Sequence, residues 1–84
     1  MIQKKLPIVW NGKLVGYIAD PKPDNLRHYG RWEPVKGTDV EDFISALMDG
    51  EEAVHVLVGE GASKYEGTVE SAPDRWIEIH PVFD

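Results

Sequence analysis

The chain contains no cysteine. That excludes disulfides, thiolate zinc sites, iron–sulfur clusters and cysteine nucleophiles together. Secreted domains of this size usually rely on disulfide staples, so a cytoplasmic setting is the expectation. Long hydrophobic runs are missing too. The N-terminal apolar stretch, residues 6–10, is five residues long and is broken at once by Asn11-Gly12. It is too short for a signal peptide, and nothing in the chain reaches the length of a membrane span. Nucleotide-binding and hydrolase signatures are also absent. Gly59-Glu60-Gly61 has neither the rest of a dinucleotide fingerprint nor a following helix to hold a phosphate, and no serine lies in a G-x-S-x-G setting.

With 84 residues there is enough chain for one domain, residues 1–84, and too little for two. A domain of this size buries roughly 60–65% of the surface of its extended chain, which leaves little room for a deep cavity. Hydrophobic residues make up 42% and aromatics 10%, the composition of a folded domain. The net charge is −6, and it is unevenly placed. Residues 1–36 carry seven Lys/Arg against three Asp/Glu, and residues 37–84 carry two against twelve. An acidic chain repels phosphate backbones, so nucleic acid is disfavoured as a partner.

Two apolar runs flank Asn11-Gly12, the strongest short signal for a β-hairpin. A two-residue turn pairs Trp10 with Lys13, Val9 with Leu14 and Ile8 with Val15. One face then holds Leu6, Ile8, Trp10, Val15 and Tyr17, and the other Val9, Leu14 and Ile18. Both faces are apolar, so the hairpin needs cover from a helix on one side and from a loop or partner on the other. Residues 20–25, with Pro21 and Pro23, read as an irregular loop. Residues 28–33 read as a strand with Tyr29 and Arg31 on one face and His28, Gly30 and Trp32 on the other.

The helix signal lies at about 39–49. Thr38 and Glu41 fit a capping box, Val40, Phe43, Ile44, Leu47 and Met48 form one stripe, and Gly50 suits a left-handed C-terminal position. Residues 53–58, 65–71 and 76–80 read as strands. In them Val54, Val56 and Val58 share a face, Tyr65, Gly67 and Val69 share another, and the last two strands pair antiparallel. The predicted class is α+β: a mostly antiparallel sheet of five to six strands with one helix packed on one face.

No residue set points to catalysis, a metal or a cofactor. His28, His55 and His80 fall on three different strands without ligand spacing. The segment richest in contact-forming side chains is 27–32, which holds Arg27, His28, Tyr29, Arg31 and Trp32. Tyr, Trp and Arg dominate binding hot spots because they join apolar area to hydrogen bonding. The functional expectation is a small non-enzymatic interaction or regulatory module that binds a protein partner, or itself, through this aromatic and basic segment. The alternative is a small enzyme or ligand-binding domain with a histidine as acid–base group and Arg27 or Arg31 holding an anion.

Overall fold

The computed structural model describes residues 5–23, 27–50, 53–70 and 73–82. Strands β1 (Lys5–Trp10) and β2 (Lys13–Pro23) form the hairpin around Asn11 and Gly12, whose φ angles of 52° and 78° are those a tight primed turn requires. Trp10 pairs with Lys13 and Val9 with Leu14, as the turn dictates. The register then shifts, and Ile8 pairs with Gly16. Val15 is the extra residue of a bulge, and a one-residue slip sends every later side chain to the opposite face. Ile18, expected beside Val9, is therefore fully buried inside, while Tyr17 moves to the outer side and is half-buried. The bulge places Gly16 under the indole of Trp32, where a Cβ would stand 2.5 Å from the ring.

β2 does not end at Ala19. It continues to Pro23 through a second register shift between Ala19 and Lys22, with Asp20 at φ 50°. The expected loop thus begins as strand, and its residues 24 and 25 lie outside the described residues. β3 (His28–Pro34) pairs with β2 and turns Gly30 and Trp32 inward and Tyr29 and Arg31 outward.

Helix α1 (Thr38–Asp49) buries Val40, Phe43 and Leu47. Ile44 is half-buried and Met48 is 74% exposed, so the buried stripe is narrower than the apolar pattern. The N-cap is Gly37, with no side-chain cap, so Thr38 is the first helical residue and the expected capping box does not form. Asp39 instead pairs with Lys13 at 3.2 Å. Asp39 and Glu41 still place negative charge at the positive end of the helix dipole. Gly50 is extended (φ −74°, ψ 125°) rather than left-handed, so the chain leaves the helix directly toward the next strand.

β4 (Val54–Val58), β5 (Tyr65–Val69) and β6 (Trp76–Pro81) form a second three-stranded meander, with a 3₁₀ turn at Gly61–Ser63 between β4 and β5. β5 stops at Val69, two residues short of the expected end, and residue 71 lies outside the described residues. β6 pairs with β3 and β4 pairs with β1, both antiparallel. The result is a closed barrel in the order β1-β2-β3-β6-β5-β4. The expected sheet with a helix on one face is therefore corrected to a barrel. The two meanders close on each other, and among the described residues closure leaves no strand at a sheet edge.

Inside the barrel Ile8, Val15, Ile18, Val58 and Ile79 are fully buried, and Val56, Val69 and Ile77 nearly so. α1 connects β3 to β4, and its apolar residues join the same cluster. Phe43 packs between Trp10, the last residue of β1, and Trp32, at centroid distances of 5.7 and 6.0 Å.

Candidate interaction surface

The barrel wall sorts the 27–32 segment by strand alternation. Trp32 is 8% exposed and belongs to the core. His28 is on the same inward phase, at the end of β3 remote from α1. Its Nδ1 and the hydroxyl of Tyr65 are hydrogen-bonded at 2.7 Å, with the two rings edge to face. Tyr29 and Arg31 point outward. Arg27 precedes β3 and donates from Nη1 to Glu78 Oε1 at 2.6 Å.

Burial pushes the Tyr65 phenol up to about 12. The neutral phenol is the form the fold favours. Between the ordinary phenol pKa of about 10 and a folded value of about 12, the unfolded chain has lost this proton and the folded chain retains it, so stability falls as pH rises through that window. One of the three tyrosines is expected to titrate near 12 by ultraviolet absorbance, and Tyr65→Phe is expected to remove that component. A wild-type curve with no transition above about 11 would count against the buried phenol.

Strand register adds a residue that the segment alone does not contain. Arg31 pairs with Trp76 of β6, and Tyr29 pairs with both Lys22 of β2 and Glu78 of β6. Trp76 is 61% exposed and Tyr29 39%. The outer wall at the β3–β6 junction therefore carries an exposed indole, a phenol and the cations of Lys22 and Arg31, with Glu78 on the same face. A signal for Trp76 exists in the chain: it shares strand phase with Glu78 and His80, opposite Ile77 and Ile79. Beside this wall Glu33 accepts from Lys5 Nζ at 2.9 Å and lies 3.6 Å from Arg31 Nη2. The hydrogen bond from Lys5, aided by its charge and that of Arg31, holds the Glu33 carboxyl below its ordinary range despite partial desolvation.

The histidines stay apart. His55 and His80 flank Thr68 on the outer face of β4, β5 and β6, two strand spacings from each other, or roughly 9–10 Å. His55 Nδ1 lies 3.1 Å from Glu66, and His80 Nε2 lies 3.7 Å from Glu70 and 3.8 Å from Glu78. Among the described residues no group of three carboxylate or imidazole side chains is placed to hold a metal. Arg27 and Arg31 each face a carboxylate, Glu78 and Glu33, so an incoming anion at either one would have to compete with it. A concavity of about 230 Å³ opens on the opposite side of the barrel, next to the Asn11–Gly12 turn. It is smaller than the roughly 300–1,000 Å³ typical of small-molecule sites.

Fold and surface together define a class: a small six-stranded antiparallel barrel with one core-docked helix and an aromatic–cationic outer wall. No protein-family model, curated protein or solved structure matches the chain. No helix among the described residues is long and apolar enough to cross a membrane.

Proposed function

We propose that this chain is a non-enzymatic interaction module that binds a protein surface through the outer wall of β3 and β6. Trp76 stands at the centre of the contact, with Arg31 and Tyr29 beside it. The observation that supports this most is the 61% exposure of Trp76 on a paired strand, directly opposite Arg31. Exposed tryptophan costs solubility, and a strand presents it at low entropic cost to a partner. Arg31 and Lys22 favour an acidic partner surface. Nucleic acid is the weaker choice because the whole chain is at −6. A reducing cytoplasm suits this reading, since the core alone holds the fold.

Affinity capture with the immobilised protein tests the proposal. Partners retained by the wild type are expected to be lost with Trp76→Ala and with Arg31→Glu, each weakening binding at least about tenfold. Met48→Ala, at an exposed helix position, should retain them. Both wall variants should unfold within about 1 kcal/mol of wild type, because each loses only an exposed cross-strand or ion-pair contact. Equal retention by all four proteins would discard the assignment.

A further inference from the structure

The concavity beside the Asn11–Gly12 turn suggests what covers Trp76. β1 and β4 share only two paired positions, Ile8 with Val58 and Val9 with Leu57. Past Val9, β1 runs into its turn, while β4 extends back toward α1. The gap between them is the notch, walled by Val9, Val56 and Leu57 and rimmed by Asn11, His55 and Glu66. Leu57 is 45% exposed, and Leu14, the cross-strand partner of Val9, is 38% exposed. Apolar surface therefore continues from the notch onto the outer face of the first hairpin, the face whose apolar residues require cover.

In the closed order β1-β2-β3-β6-β5-β4, the β3–β6 junction and the β4–β1 junction are three strands apart either way round. An exposed indole opposite Arg31 thus stands on one side of the barrel. A small apolar notch with a carboxylate on its rim stands on the other. Deepening the reading given above, and resting on it, we propose that the partner of the Trp76 wall is a second copy of this chain, bound head to tail with Trp76 seated in the notch beside Leu57.

Three features match. The notch suits one large side chain rather than a drug-sized ligand. Arg31 stands opposite the indole with Lys22 further along the wall, and Glu66 stands at the notch rim, so charges of opposite sign meet when the indole is seated. A seated indole N–H also needs an acceptor, which the Glu66 carboxylate or the Asn11 side-chain oxygen supplies. Because the two surfaces lie on opposite sides of each molecule, the contact is heterologous. It leaves a free knob and a free notch at the ends, so it grows as a row instead of closing as a pair. The charge of −6 on every copy opposes growth and keeps the association weak.

Sedimentation velocity on the full chain, up to about 1 mM, tests this. The wild-type sedimentation coefficient is expected to climb with concentration without reaching a plateau. Trp76→Ala keeps the notch but lacks the knob, and Leu57→Glu keeps the knob but spoils the notch. Each alone should be monomeric, with its association constant reduced at least about tenfold. Mixed in equal amounts they should form a one-to-one dimer that grows no further, and unchanged unfolding midpoints would show that both variants fold. A monomeric wild type, a plateau at a closed dimer, or a mixture that stays monomeric overturns the inference. A monomeric wild type that nonetheless captures another protein through Trp76 would overturn the second-copy occupant while leaving the interaction reading standing. Loss of both would remove the two together.

Discussion

Phe43→Ala is expected to destabilise the domain by about 3–5 kcal/mol, the top of the range for truncating a core side chain. Phe43 has no exposed surface, and its ring fills the space between the indoles of Trp10 and Trp32. Truncation removes apolar burial and leaves a cavity whose walls are rigid. One wall is the end of a strand, and the other is a tryptophan pressed onto the bare backbone of Gly16. Neither can collapse inward, so the cavity cost is added to the transfer cost. Stabilities of domains this size are about 5–15 kcal/mol, so the variant sits near the edge of folding. Urea denaturation checks it: the midpoint should fall sharply, while Met48→Ala, on the exposed side of α1, should shift stability by less than about 0.5 kcal/mol. A Phe43→Ala loss below about 1 kcal/mol would mean that α1 docks through other residues.

Gly30→Ala is expected to cost roughly 1–3 kcal/mol by overpacking. A Cβ at Gly30 would stand 2.6 Å from the carbonyl oxygen of Ala19, 2.9 Å from Ile18 Cγ1 and 3.2 Å from Pro21 Cα. Two of those three atoms are backbone, and they belong to the bulge that holds Asp20 at positive φ. The methyl must push the bulge away from β3 or fail to fit. Gly12→Ala provides the contrast. Nothing lies within 4 Å there, but φ is 78°, so its cost of roughly 1–2 kcal/mol is purely conformational. Amide exchange separates the two mechanisms. Gly30→Ala should accelerate exchange at the β2–β3 pairs around Ala19 and Lys22, and Gly12→Ala should act at the hairpin turn. Unchanged β2–β3 protection in Gly30→Ala would show that the bulge absorbs the methyl freely.

The candidate wall illustrates why a site can be half-legible. Alternation along β3 separates Tyr29 and Arg31 from Gly30 and Trp32, and it does so correctly. Alternation along β6 sets Trp76 in phase with Glu78 and His80. What no single strand contains is that β3 lies next to β6, which is what brings Arg31 and Trp76 together across 45 positions of chain. The same holds at the notch, where Val9 and Leu57 meet because β1 closes against β4.

Local chemistry was enough to specify the Asn11–Gly12 hairpin, the helix carrying Val40, Phe43 and Leu47, and the inward valines of β4, because turn preference and apolar period act over a few residues. Closure of the barrel, the bulges at Val15 and Asp20, and the use of Gly37 in place of Thr38 as the cap were decided only in three dimensions. An alternating strand reads the same in an open sheet and in a barrel. Which neighbour it takes, and where it must slip by one residue to seat Trp32 over Gly16, depends on how distant side chains fill one shared interior.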